Sequence, residues 1–158
     1  MDEIVAYRED LLTALERMVI ELPKTVADIP SRAWHQPLGD DSNTPHYILA
    51  HLRELEDQVF SIQLRRILDE ETPLVPVFND DAWMAVHYKP EEPTMTIVED
   101  FVKLRKHELN GLRKLSPPAW SRIARHPQWG VHTLQWWVEL QLDYSAQQLK
   151  ELSGLHAL

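Results

Sequence analysis

The chain has 158 residues, 44% hydrophobic and 26% charged, which fits one globular domain over residues 1–158 with a sizeable buried core. Its formal net charge of −9 argues against nucleic acid and anionic membrane surfaces as partners, because both attract Lys and Arg side chains. The absence of Cys excludes disulfides, thiolate metal ligands and a cysteine nucleophile; this fits a cytoplasmic protein, and no apolar run reaches the roughly 18 residues of a membrane span.

Helical periodicity predicts four long helices, and the first two have clear limits. The first is predicted from about residue 2 to Leu22, where Pro23 should end it. The second begins at Thr44, a good N-cap, followed by Pro45, which suits the first helical position. Its apolar residues then step by four, three, four and three, the seam of a helical bundle: Ile48, Leu52, Leu55, Val59 and Ile62.

A long connection over residues 72–93 separates the second helix from the third. Asn79 and the two aspartates after it could cap a short helix there. The third helix is predicted over about residues 96–115 and the fourth over about 133–153, with Gly154 as its C-terminal cap. Residues 126–130 should form a turn. Together these elements predict an all-α four-helix bundle with short accessory helices in its long connections.

Polar residues on two apolar helix faces are the candidates for chemistry. His51 lies in the second turn of the second helix, roughly 60° from the centre of its apolar stripe, so the imidazole should face the bundle interior or its edge. On the fourth helix, Gln141 and Ser145 fall on the centre line of the apolar face, four residues apart. A helical metal site uses this spacing with two histidines, whereas an amide and a hydroxyl are weak ligands.

Several stretches of the chain carry a wider pattern. They are residues 48–52 with Glu54 and Glu56, residues 66–70, 73–74 and 78–83 with Tyr88, residues 112–120, 126–130 and 133–134, and Gln148-Leu149. In this order and spacing they resemble the DinB/YfiT-like family of four-helix bundles, in its branch of short stand-alone domains, over nearly the whole chain. The resemblance implies that the protein forms a homodimer.

Members of this family typically bind a divalent metal through three histidines, and the metal would activate a thiol or a water. The resemblance places the first ligand on His51. Anchored on Gln148-Leu149, it places the other two on Gln141 and Ser145, neither of which is a histidine. One imidazole with two weak donors should not hold zinc or nickel. The expectation is therefore a degenerate metal site and no cofactor.

Two functions remain open from the sequence. The first is a small-molecule-binding or scaffold protein whose pocket is formed by His51, Gln141, Ser145 and Trp137, with His51 hydrogen-bonded to Gln141 or Ser145. The second is a zinc- or nickel-dependent thiol S-transferase or hydrolase acting on small molecules. In that enzyme His51 recruits other ligands, such as Asp143 or a residue of the 72–93 connection.

Weaker alternatives concern His51 and Trp136. His51 could act as a general base without a metal. Trp136 points away from the apolar stripe of the fourth helix by roughly 160°, so it could cover a loop or contact a protein partner. No serine lies in a recognisable nucleophile motif, so no catalytic residue is assigned. The expected partners are an unknown small molecule and a second copy of the chain, with no nucleic acid and no membrane.

Overall fold

A computed structural model describes residues 2–39 and 43–157 of the chain. Its helices are α1 (Glu3–Asp28), α2 (Pro45–Leu55), α3 (Ser61–Asp69), α4 (Asp80–His87), α5 (Thr94–Arg113) and α6 (Leu134–Ser153), and its strands are β1 (Ile123–His126) and β2 (Gly130–Thr133). Short 3₁₀ turns are formed by Ser31–Ala33, Pro117–Ser121 and Gly154–Ala157. One π-helical turn, Glu56–Phe60, joins α2 to α3 in a continuous rod. Among the described helices, none combines the length and apolarity needed to cross a bilayer.

Four long rods make up the bundle: α1, the α2–α3 rod, α5 and α6. Helix α1 packs against α5 and α6, and α2 packs against the same two helices, so α1 and α2 lie diagonally opposite each other. The predicted all-α four-helix bundle with accessory helices in its connections is confirmed. Because α2 and α6 are neighbours, side chains from one edge of each helix can meet.

The predicted helix starts are confirmed by their caps. The Thr44 Oγ1 accepts a hydrogen bond from the Tyr47 amide at 3.1 Å, immediately before Pro45 opens α2. The Asn79 Oδ1 accepts from the Ala82 amide at 3.1 Å and starts α4 inside the long connection. Each cap satisfies an amide that has no partner within its own helix.

Pro23 does not end the first helix. Helix α1 continues through Pro23 to Asp28, so the predicted end at Leu22 is wrong. A proline in a helix interior costs about 3 kcal/mol. The extra turns bury Val26, and Ile29 follows them into the same apolar cluster. Burying two such side chains contributes roughly 1.5–3 kcal/mol each, which offsets the lost hydrogen bond.

The predicted turn at residues 126–130 is the tip of an antiparallel β-hairpin. Strands β1 and β2 pair from Ile123 opposite Thr133 to His126 opposite Gly130, and Gly130 has a φ of 83°. Arg125 in β1 donates its amide to the Pro73 carbonyl and accepts from the Val75 amide, which ties the long connection to the hairpin. Four-residue strands are too short to show an alternating pattern, so the sequence predicted only the turn.

A buried polar layer lies between the two larger of three apolar clusters in the described core. One cluster surrounds Leu49, Phe101 and Leu152, and the other surrounds Leu15, Leu109 and Val138. Four polar side chains lie along the helices between these clusters: Glu56, Arg105, Glu108 and Gln141, each at most 8% exposed. The layer lies on the apolar faces of three rods, so its charges must be compensated within the bundle.

Candidate functional site

His51 joins three helices through its ring. The His51 Nε2 lies 2.8 Å from the Asp80 Oδ2 on α4, and the His51 Nδ1 lies 3.1 Å from the Gln148 Nε2 on α6. An amide nitrogen can only donate, so Nδ1 is the acceptor and the ring proton is on Nε2, donated to Asp80. Both ring nitrogens are thus engaged, and the side chain of His51 is 20% exposed.

Local sequence explains how these groups are positioned. The Asn79 cap begins α4 at Asp80, so the carboxylate that meets His51 is held at a helix start. Further along α4, the Trp83 Nε1 donates to the Glu54 Oε2 of α2 at 3.0 Å. This bond fixes α4 against α2 and holds the distance between Asp80 and the imidazole.

A surface depression of about 190 Å³ opens beside the His51 ring. It is lined by Asn43, Tyr47, Ile48, His51, Tyr144, Gln147, Gln148 and Glu151. Tyr144 and Gln148 stand four residues apart on α6, so they share one helix face turned toward His51. The Gln148 Oε1 is buried and has no hydrogen-bond partner in the described part of the chain.

Gln141 and Ser145 do not contact the His51 ring nitrogens. The Gln141 amide donates to the Glu56 Oε1 at 2.5 Å and to the Glu108 Oε2 at 2.6 Å. The Ser145 hydroxyl donates to the Gln141 carbonyl of its own helix at 2.7 Å. The prediction that His51 hydrogen-bonds to Gln141 or Ser145 is therefore wrong. Both residues lie at the centre of the buried face of α6, whereas His51 lies at the edge of its face and meets the edge residues of α6.

The two tryptophans of α6 pack around the hairpin. Trp137 is fully buried against His126, at 6.0 Å between ring centroids, and Trp129, at 5.8 Å. Trp136 stacks on His132 of β2 with the ring centroids 3.6 Å apart. The outward Trp136 thus covers the hairpin, the first of its two predicted roles. A pocket role for Gln141, Ser145 and Trp137 stays a prediction.

Sequence reasoning missed the buried charges beside Gln141. The Arg105 guanidinium donates to both carboxylate oxygens of Glu56, at 2.9 and 2.7 Å, and to the Leu15 carbonyl at 3.1 Å. Ser61 and Gln141 donate to Glu108. Two features of the sequence could have indicated this buried pair: Glu56 directly follows Leu55 of the apolar seam, and Arg105 lies on the apolar face of α5.

The two buried carboxyl groups have pKa values shifted in opposite directions. Burial raises the pKa of Glu108, and the neighbouring negative charge of Glu56 raises it further, so Glu108 is protonated at neutral pH. Burial alone would raise the pKa of Glu56, but the charge of Arg105 and several hydrogen bonds outweigh it, and the net shift is downward. One carboxylate, one guanidinium and one neutral acid leave this layer without net charge, as a buried position requires.

A mainly apolar cavity of about 120 Å³ shares one wall residue, Tyr144, with the His51 depression. Its walls come from the α2–α3 rod, the long connection, the hairpin and α6, and include Val59, Phe60, Gln63, Phe78, His126, Trp129 and Leu140. Asp80 and Tyr144 also line it, and Tyr144 lines the depression as well. The depression and the cavity share Tyr144 as a lining residue, and the two together are called the cleft below.

Comparison with known proteins identifies the family of this bundle. A family model of the DinB superfamily matches residues 6–152. The chain belongs to the DinB superfamily. Its structure is also similar to a solved structure described as "YfiT from Bacillus subtilis is a probable metal-dependent hydrolase with an unusual four-helix bundle topology", with a TM-score of 0.88 and 18% identity, covering 99% of this chain and 89% of that one. No protein with a curated description matches the chain. The shared DinB fold confirms the resemblance seen in the sequence.

The donors around His51 do not fit the transition metal that the DinB family implies. They are one imidazole with both nitrogens hydrogen-bonded, the Asp80 carboxylate and the Gln148 amide that bond to it, and the Tyr144 phenol and Glu151 carboxylate of the depression. Zinc sites combine three or four imidazole, thiolate or carboxylate ligands, whereas the depression offers a single imidazole. Asp143, the other predicted ligand, is exposed. Across residues 2–39 and 43–157, no cluster of three or more His, Asp or Glu side chains could hold a metal ion.

Proposed function

We propose that this DinB-superfamily protein binds a small organic molecule in the cleft beside His51 and has no resident transition metal. One observation carries the proposal: the His51 ring is occupied by Asp80 and Gln148 at the edge of a cleft suited to a ligand. Pockets between the helices of a bundle are common sites for small molecules.

Unsatisfied polar groups support a ligand in this cleft. The buried Gln148 Oε1 has no partner among residues 2–39 and 43–157, although buried amide oxygens are normally hydrogen-bonded. Gln148 lines the depression together with Tyr144. A ligand donor bound there would satisfy the Gln148 oxygen and be oriented by the surrounding aromatic rings.

A metal-dependent hydrolase or thiol S-transferase acting on small molecules is the second candidate. It is supported by the similarity to YfiT, whose description names a probable metal-dependent hydrolase. In this alternative His51 and Asp80 would be the protein ligands. Asp80 belongs to the 72–93 connection from which a ligand was expected. No second imidazole lines the depression beside His51, so this function is the second candidate.

Binding of small molecules to chelator-treated protein tests the proposal. Backbone amide shifts would be recorded by NMR while a library of small organic compounds is added in the presence of EDTA. We expect some compounds to shift the amides around Tyr47, His51 and Gln148. His51→Ala should weaken their binding, whereas His107→Ala, an exposed histidine of α5, should leave it unchanged. Binding that needs added zinc, or no binding near His51, would contradict the proposal.

A further inference from the structure

We propose that the apolar cavity beside Tyr144 binds a neutral, ring-sized group that carries an amide or a hydroxyl, which hydrogen-bonds to Gln63 and His126. The inference rests on the proposed function and names the chemical class of its ligand. It also assigns two specificity residues that lie away from His51.

The size and walls of the cavity set the apolar part of the ligand. The cavity has a volume of about 120 Å³, and Val59, Phe60 and Leu140 contribute apolar walls. Apolar cavities of roughly 150 Å³ stay dry and hold a benzene molecule. The cavity therefore fits one six-membered ring or an aliphatic group of similar size, with the remainder of a larger ligand reaching toward the depression.

Gln63 supplies a hydrogen-bond acceptor. Its side chain lines the cavity and the residue is only 6% exposed. The Gln63 Oε1 is buried and has no partner in the described part of the chain. A buried amide oxygen without a partner is unfavourable, so a ligand that brings an N–H or O–H to this atom gains a hydrogen bond without losing an internal one.

His126 supplies a donor on the same cavity wall. Its Nδ1 accepts from the backbone amides of Gln128 and Trp129, both at 3.1 Å. Burial, and then the nearby His132, lower the pKa of His126, which favours the neutral ring. The proton of that neutral ring must then be on Nε2, for which no protein acceptor occurs within the described residues. Stacking on Trp129, at 4.2 Å between centroids, fixes the ring plane.

Charge at the cavity selects against acids. The Asp80 carboxylate lines the cavity and its side chain is 44% exposed. An anionic ligand would be repelled by Asp80 and would find no cationic side chain among the residues that line the cavity. An amide or alcohol can donate to Gln63 and accept from His126 without carrying charge. This combination points to neutral ligands.

Benzamide, toluene and benzoate are suitable probes. Each would be titrated into the full chain in the presence of EDTA, with dissociation constants taken from NMR shifts of Gln63, His126 and Leu140. We expect benzamide to bind more tightly than toluene, and benzoate to bind most weakly. Gln63→Leu should weaken benzamide by roughly fivefold to tenfold, as the loss of one net hydrogen bond implies, and leave toluene unchanged. Gln36→Leu, at an exposed glutamine, is the matched control.

Leu140→Trp provides a second variant, because it should fill the cavity and abolish binding of benzamide. Equal affinities for the three probes, no change on Gln63→Leu, or shifts confined to other surfaces would overturn the inference. Failure of benzamide while other compounds still shift amides around His51 would overturn the inference alone. Zinc bound at His51 in the purified protein would instead overturn the proposed function.

Discussion

Two residues of the α2–α3 rod, His51 and Glu56, show how a few positions decide the chemistry of the bundle. His51 lies at the edge of the apolar face and reaches a cleft, whereas Glu56 is 1% exposed and pairs with Arg105 inside. A helical wheel predicted that His51 faces the bundle interior or its edge, and the structure places it at the edge. The wheel could not predict its partners, because Asp80 comes from a connection whose path depends on the hairpin. The buried Glu56–Arg105 pair could not be predicted from the sequence either, since such pairing depends on which helices become neighbours.

Replacing Glu108 by Gln should raise the free energy of unfolding by an amount that grows with pH. The raised pKa of Glu108 means that the native protein keeps a proton that the unfolded chain loses near pH 4.3, a typical value. The contribution of this proton to the free energy of unfolding is fully present below that pH. Above it, the contribution falls by about 1.4 kcal/mol per pH unit until Glu108 loses its proton in the native protein. Gln keeps the shape without titrating. Urea unfolding between about pH 5 and pH 9 would measure the difference.

Glu99→Gln is the control for this prediction, because Glu99 is exposed on the same helix. It should leave the pH dependence of stability as it is in the wild type. A Glu108→Gln variant whose stability stays parallel to wild type across this pH range would show that Glu108 is ionised in the native protein.

At the scale of elements, caps and periodicity predicted most of the helices, and packing decided the exceptions. Thr44 and Asn79 start α2 and α4 as expected because a cap is a local interaction. The extension of α1 beyond Pro23 and the hairpin depend on contacts with distant segments, which a local pattern does not contain. On α6, Gln141 and Ser145 lie at the centre of the apolar face, whereas His51 meets Gln148 at its edge; a site role for Gln141 and Ser145 stays a prediction.

The contact between His51 and Gln148 predicts a second position on α6 where a metal site could be built. Tyr144→His/Gln148→His would place two imidazoles, four residues apart, on the helix face that already meets His51. We expect this double variant to bind one zinc ion per chain in a titration against a competing chelator. Gln141→His/Ser145→His should bind no more zinc than wild type, because those positions lie in the buried polar layer. Tight zinc binding by the second variant alone would contradict this prediction and support a site at Gln141 and Ser145.

At the scale of the whole molecule, the bundle keeps the DinB architecture while the donors at its cleft differ from a three-histidine set. The fold follows from apolar seams, which tolerate many substitutions, so it could be predicted from the sequence. The ligand of the cleft could not, because a cavity between the α2–α3 rod, the hairpin and α6 exists only after these elements have packed. The predicted homodimer stays a prediction, and its contact surface is unassigned.

The metal content of the purified wild-type protein tests the central claim most directly. The protein would be produced in medium supplemented with zinc and nickel, dialysed without a chelator, and analysed by mass spectrometry of the elements beside a His51→Ala variant. We predict substoichiometric metal that does not change on His51→Ala. One zinc or nickel ion per chain in the wild type, lost in the variant, would contradict the account.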